Sequence, residues 1–150
     1  MGSVNKFLKG DMVKRENTTF PVTRAFLDEN GKPALWTVRP ISIEENAEIR
    51  SECITEKPIV RKGKNGRMKT VYKDDVDISK YQTRLICASV VEPNLYDAQR
   101  QDSFGVKTPE ELIKKMIPYP GEFDEFAMFL QQYNGFDESF TDAADEVKNG

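Results

Sequence analysis

The residue types that most often carry out catalysis are scarce in this chain. It contains no histidine among its 150 residues, which removes the commonest general base and the commonest metal ligand. Its two cysteines, Cys53 and Cys87, lie far apart without the C-x-x-C spacing of zinc sites. Both fall on apolar faces of predicted helices, so we expect reduced core thiols rather than a disulfide. The sequence therefore predicts no catalytic residue, no cofactor and no metal site, and we expect a protein that is not an enzyme.

Carboxylates occur in pairs, which is a pattern that can support acid–base chemistry. Each pair lies at the start of a predicted helix, where negative charge complements the helix dipole and needs no catalytic explanation. The pairs are Glu44 and Glu45, Glu110 and Glu111, and Asp124 and Glu125. Asp28, Asn30 and Gly31 resemble the beginning of a calcium loop, but no carboxylate stands at its closing position, and this favours a plain turn.

The last predicted helix offers a binding surface rather than a reactive group. It begins near Pro120 and closes at Gly135, and it carries more large rings than one short helix needs for a core. We predict partner binding here, because large rings bury much area with little loss of side-chain entropy. For most of the rings we favour packing against the predicted helix Asp77–Val91, and the outer ones, Phe129 and Phe136, are those expected to line a groove for a partner. The rings belong to Phe123, Phe126, Phe129, Tyr133 and Phe136.

The segment 57–76 is predicted to be a basic loop or a β-ribbon turning at Asn65-Gly66. One hypothesis is a small nucleic-acid-binding adaptor that uses residues 57–73 to contact phosphates. Aromatic residues that would stack on bases are missing between Lys62 and Lys69, which favours a solvated loop and makes nucleic acid an unlikely partner. Docking to an acidic protein surface is a third interpretation. The cations are Lys57, Arg61, Lys62, Lys64, Arg67, Lys69 and Lys73.

One predicted helix is expected to form the centre of the fold, with the other elements packed around it. It spans Asp77–Val91, where apolar residues recur at helical spacing around so much of the surface that the helix should be central and buried. Asp77 is expected to cap its first turn by accepting from backbone N–H groups. Pro93 is expected to end it, because proline disfavours helical geometry at the preceding residue.

The N-terminal half reads as a hairpin followed by a helix. Alternation predicts strands over Phe20–Leu27 and Ala34–Ile41, joined by a turn at Asn30-Gly31. Ser42, with Glu45 three residues later, forms a capping box that starts a helix reaching about Glu56.

The whole chain is predicted to be α+β, with an N-terminal β-hairpin and its packed helix followed by a compact C-terminal group of helices. Residues 1–136 form a single domain in this interpretation, with 1–17 as an arm docked through Phe7, Leu8, Met12 and Val13. Residues 137–150 are acidic and too poor in apolar residues to fold alone, so we expect a flexible tail. A net charge of −3 does not favour a polyanionic partner. The sequence has neither a signal peptide pattern nor an apolar run long enough to span a bilayer.

Seven segments of the chain, taken in order, carry a resemblance to a known family: Arg24–Pro33, Ile43–Asn46, Val91–Leu95, Gln101–Val106, Glu111–Met116, Pro120–Phe123 and Tyr133–Asp137. They resemble the tail assembly chaperones of contractile- and long-tailed phages. The similarity is greatest to the XkdN-like family of Gram-positive prophages and extends from about Lys6 to Asp137. The basic insert Arg61–Lys73 departs most from the family pattern.

The resemblance implies a function in assembly. Such chaperones bind the tape measure protein, keep it soluble and help to recruit tail tube subunits. The implied partners are therefore the tape measure protein and the tail tube protein, with self-association as a further expectation and no membrane partner. The implied location is the host cytoplasm, and the protein is not retained in the mature virion.

Overall fold

The chain alternates between short strands and helices, and the computed structural model describes residues 6–135. The first, second and fifth strands of the described residues form one antiparallel sheet in that order, and the third and fourth form a separate two-stranded ribbon. The predicted α+β class is confirmed. In chain order the elements are β1 (Thr18–Pro21), β2 (Leu35–Val38), α1 (Ile43–Glu52), β3 (Ile54–Lys62), β4 (Met68–Val76), α2 (Ile78–Ser89), β5 (Val90–Glu92), α3 (Ala98–Ser103), α4 (Pro109–Met116) and α5 (Pro120–Tyr133).

The hairpin is present, but its strands are shorter than predicted. The chain leaves the sheet at Pro21, and beyond it only Leu27 and Pro33 form an isolated bridge. The turn is stabilised by the Asp28 carboxylate, whose Oδ1 accepts from the backbone N–H groups of Asn30 at 2.8 Å and Lys32 at 3.0 Å. Gly31 adopts the left-handed conformation at φ 75° that such a turn requires. Asp28 therefore has a structural role that explains it without calcium.

Helix α2 begins as predicted and ends earlier. The Asp77 carboxylate accepts from the Lys80 N–H at 3.1 Å, which confirms the predicted cap. The predicted end is wrong, because Val90–Glu92 leaves the helix and forms strand β5 beside β2. β-Branched valines favour strands, and β2 offers an open edge where the Arg39 N–H donates to the Ser89 carbonyl at 2.8 Å.

Helix α1 also ends before its predicted limit. The predicted capping box is present, since Ser42 Oγ accepts from the Glu45 N–H at 3.1 Å and the Glu45 carboxylate accepts from the Ser42 N–H at 3.3 Å. The helix stops at Glu52, and the chain turns through buried Cys53 into strand β3. None of its residues is fully buried. It packs against α2 and is joined to the sheet by the ion pair of Arg39 with Glu45, at 2.7 Å.

The hydrophobic core lies where α2, α4 and α5 meet the three-stranded sheet. Trp36 and Val38 of β2 are buried against it, as the alternation in that strand predicted. Thr108 caps α4 by accepting from the Glu111 N–H at 3.1 Å, and Pro109 occupies the first helical position. No helix of the described residues is long and apolar enough to cross a membrane.

Both cysteine thiols are buried and unpaired, as predicted. Burial raises the pKa of the Cys87 thiol from 9.0 to about 12, which lowers its thiolate fraction near neutral pH by about a thousandfold. We therefore expect a chromogenic disulfide reagent to leave the native protein almost unlabelled. Urea above the unfolding midpoint should release two reactive thiols at the rate of a free cysteine. Rapid labelling of either thiol before unfolding would contradict this placement.

Candidate interaction surfaces

Hydrogen bonds join helix α5 to the N-terminal half of the chain at both ends of the helix. At its start, the Glu122 carboxylate accepts from the Thr23 hydroxyl at 2.6 Å and from the Arg24 N–H at 2.9 Å. Just after its end, the Asn134 side-chain oxygen accepts from the Ile41 N–H at 2.6 Å. These contacts join positions more than ninety residues apart. They hold the aromatic side of α5 against the hairpin.

Phe126, one of the predicted partner-binding rings, lies entirely in the core. Its exposed fraction is 0%, its ring stacks with Phe20 at a centroid separation of 5.8 Å, and it meets Trp36 edge to face at 6.0 Å. In this conformation it offers no surface to a partner. Phe126 therefore packs inside the protein, as we expected for most of the rings.

The outer rings form a half-buried stack that reaches the surface. Phe129 stacks on Phe20 at 4.2 Å and on Tyr133 at 6.0 Å, with interplanar angles of 17° and 2°. Phe123 is half-buried and packs at the edge of the core. Phe136 lies outside the described residues. The structure therefore brings Phe129 and Tyr133 together at one exposed edge, and the partner role of these rings stays a prediction.

The N-terminal arm approaches this edge through polar contacts. Arg15 donates to the Tyr133 carbonyl, and its guanidinium lies 5.7 Å from the centre of the Tyr133 ring. The Tyr133 hydroxyl donates to the Glu16 carbonyl. Burial raises the pKa of that hydroxyl, while the Arg15 charge acts in the opposite direction. Sequence reasoning did not find Arg15 or Glu16, because an isolated charge in a polar segment carries no periodic signal.

The apolar side chains of the arm face solvent. They were expected to anchor it to the domain, and the structure contradicts that expectation. Large exposed apolar side chains clustered in one short segment are a feature of interaction sites. The exposed fractions are 99% for Phe7, 64% for Leu8, 74% for Met12 and 95% for Val13.

The basic segment is a β-ribbon rather than a loop. Its strands pair from Ile54 with Val76 to Lys62 with Met68, and Gly66 takes a positive φ of 78° in the turn. Lys57 lies opposite Lys73, and Arg61 opposite Lys69, so these four cations share one face. Tyr72 is an even-numbered position and projects from the other face. The cationic face therefore has no aromatic ring for stacking on a base.

In the range that the structure describes, no three or more His, Cys, Asp or Glu side chains converge in a way that could hold a metal ion. A cleft of about 420 Å³ between α2 and α4 is lined mostly by polar and charged side chains, including Lys80, Arg84 and Glu110. The groups that stand out are instead the arm, the aromatic edge of α5 and the ribbon.

The architecture is that of an α+β protein with exposed apolar and cationic surfaces. The same fold occurs in the crystal structure of the protein yqbn, which is 17% identical and superposes with a TM-score of 0.68 over 91% of this chain and 99% of that chain. The family model described as phage XkdN-like tail assembly chaperone protein matches residues 4–148. The chain belongs to this family, as the resemblance in its sequence indicated.

Two proteins of Bacillus subtilis strain 168 are similar along nearly their whole length. The phage-like element PBSX protein XkdN is 25% identical over 143 residues, which cover 95% of this chain and 91% of the relative. YqbN is 24% identical over the same shares of both chains. The protein is thus a phage tail assembly chaperone by family, and that family is generally non-catalytic.

Proposed function

We propose that this chaperone binds the tape measure protein, keeps it soluble and helps to recruit tail tube subunits during tail assembly. Membership of the family supports the general role in tail assembly. The observation that carries the finer proposal is an exposed apolar arm beside the half-buried stack of Phe129 and Tyr133. We further propose that it acts in the host cytoplasm and is not retained in the mature virion.

The geometry suits a long helical client with an apolar stripe. Such a helix docks by placing spaced apolar side chains against an apolar surface. The arm offers unpartnered apolar side chains, and its described hydrogen bonds to α5 run through Arg15 and the Glu16 carbonyl alone. A client helix can therefore gain contacts with the arm and with the rings of α5 without opening the core around Phe126.

The test is co-expression with the tape measure protein encoded by the same phage or prophage. An arm variant, Leu8→Ser with Met12→Ser and Val13→Ser, should lower the soluble, co-purifying client by at least about tenfold, because it removes the apolar anchors of the interface. The matched control is Leu27→Ser with Ile43→Ser and Tyr96→Ser, whose side chains are 58%, 85% and 67% exposed elsewhere. The control should retain the client.

Both triple variants replace exposed side chains, so equal thermal melting would exclude unfolding as the cause of a difference. Equal co-purification by the arm variant and the control would contradict the proposed surface. A wild-type chain that neither binds nor solubilises the tape measure protein would contradict the proposed client.

One observation supports the alternative function of a nucleic-acid-binding adaptor. Four cations share one face of the ribbon. The absence of a ring from that face weighs against it. Binding of mixed-sequence DNA that weakens steeply with salt, and that is lost in Lys57→Glu with Arg61→Glu, would favour this alternative over the chaperone's client surface.

A further inference from the structure

The ribbon of β3 and β4 has two chemically different faces. Side chains alternate along each strand, and residues paired across the strands lie on the same side. The register pairs even-numbered positions with even-numbered positions. We call the side that carries the even-numbered residues of 56–62 and 68–74 the even face. The four cations described above lie on the opposite side, the odd face.

The even face is apolar in its middle and open to solvent. Val60 is 60% exposed, Met68 is 68% exposed and Tyr72 is 63% exposed. Within the described residues, β3 and β4 pack extensively only on each other. An isolated two-stranded ribbon gains little from burying its own side chains. An exposed apolar stripe on such a ribbon is a feature that interaction sites share.

The edges of the ribbon are less suited to docking than its even face. Gly63 donates to the Arg67 carbonyl at 2.8 Å, so the odd-numbered pairs are the hydrogen-bonded ones and the even-numbered residues direct their N–H groups outward. Pro58 has no N–H and interrupts the outward row of donors on β3. The odd face carries the half-buried apolar pair Ile59 and Val71 at its centre, but the cations on either side of that pair would meet a second copy with like charge. The even face remains as the docking surface.

Charge is arranged unevenly along the even face. Near the body of the protein, Glu56 lies directly opposite Asp74, and near the tip Lys62 lies opposite Met68. Like charges directly opposite one another are unfavourable in a sheet. None of these three charged groups forms an ion pair within the part of the chain that the structure describes. The even face is therefore acidic at its base, apolar in its middle and basic at its tip.

We propose that the even face is a self-association surface, on which the ribbon of a second copy of this chain packs face to face and antiparallel. A two-fold axis between the Pro58–Tyr72 pair and the Val60–Thr70 pair places the apolar centres together. The same axis brings Lys62 of each copy to Glu56 and Asp74 of the other. Glu56 and Lys62 are six residues apart, about 20 Å along a strand, so the pattern fits one ribbon length.

A second copy fits because the pattern is complementary to itself under a two-fold axis. Such an isologous contact repeats each favourable charge pairing twice and closes on itself. A polyanion would be repelled by the acidic pair at the base. The inference is independent of client binding, which uses the arm and α5 rather than the ribbon.

The experiment measures the dissociation constant of the full chain by sedimentation equilibrium from micromolar to millimolar concentration. The wild type should form dimers. Lys62→Glu, and separately Glu56→Lys with Asp74→Lys, should each raise the dissociation constant by at least about tenfold, because both symmetric contacts become repulsive. The matched control, Arg61→Glu, makes the same charge change on the odd face and should dimerise no more weakly than the wild type.

Mixing the two charge variants supplies the decisive readout. Under the proposed symmetry, the Lys62→Glu chain and the Glu56→Lys, Asp74→Lys chain are complementary at both contacts. Each should associate at least about tenfold more weakly alone than the wild type, and an equimolar mixture should form heterodimers about as tightly as the wild type. This gain of association cannot arise from misfolded variants.

Three outcomes would overturn the proposal. They are a wild type that stays monomeric at all concentrations, charge variants that dimerise like the wild type, and a mixture that fails to associate. None of these outcomes bears on the client test, which can succeed or fail separately.

Discussion

Replacing Phe126 with alanine is expected to lower the free energy of unfolding by about 3–5 kcal/mol, because it removes a fully buried ring and leaves a cavity. The ring contacts Phe20 and Trp36 and has no exposed surface. Since domains of this size are stable by about 5–15 kcal/mol, the variant should lose a large share of its stability. Urea unfolding followed by the fluorescence of Trp36, the only tryptophan, measures the change.

Met128→Ala is the matched control for this variant. Met128 lies two residues further along α5 and is 51% exposed. Its replacement should change the free energy of unfolding by no more than about 0.5 kcal/mol. If Phe126→Ala lowers the free energy of unfolding by less than about 1 kcal/mol, the ring lies outside the core. Phe126 would then again be a candidate for contact with a partner.

Replacing Glu122 with alanine is expected to cost about 2 kcal/mol, because it removes the acceptor of two hydrogen bonds that join α5 to the hairpin. The Thr23 side chain is only 1% exposed, so water cannot easily replace the lost carboxylate. The same urea titration measures the change. A double-mutant cycle with Thr23→Val should give a coupling energy of about 1 kcal/mol, because either single change already breaks the contact.

Glu125→Ala separates this contact from a general effect of charge near the helix start. Glu125 lies on the same helix and is exposed, so its replacement should cost no more than about 0.5 kcal/mol. Equal losses for Glu122→Ala and Glu125→Ala, with no coupling to Thr23, would mean that the loss of a negative charge from α5, rather than of the contact with the hairpin, accounts for the change.

Local signals in the sequence were sufficient where the deciding interactions are themselves local. The caps at Ser42, Asp77 and Thr108 were predicted correctly because each side chain accepts from a backbone N–H group three residues ahead in the chain. The turns at Gly31 and Gly66 were found because a positive φ selects glycine. Family membership was also evident from the order of segments in the sequence.

Element ends and the roles of the α5 rings depended on partners distant in the chain. Val90–Glu92 is as apolar as the helix before it, and only the open edge of β2 makes it a strand. The spacing of Phe126 and Phe129 does not say that Phe126 is enclosed while Phe129 reaches the surface. That difference follows from where Phe20 and Trp36 are placed by the hairpin.

The sequence by itself determined the α+β class, the capped helix starts, the turns and the absence of histidine chemistry, because each of these is set by residue identity and short-range spacing. The tertiary structure alone decided which apolar groups remain exposed. The arm is held by Arg15 and Glu16 while its apolar side chains face solvent. The pairing of β3 with β4 places four cations on one face and leaves Val60, Met68 and Tyr72 exposed on the other. Both outcomes depend on contacts between residues that are not neighbours in the chain, and periodicity alone cannot specify them.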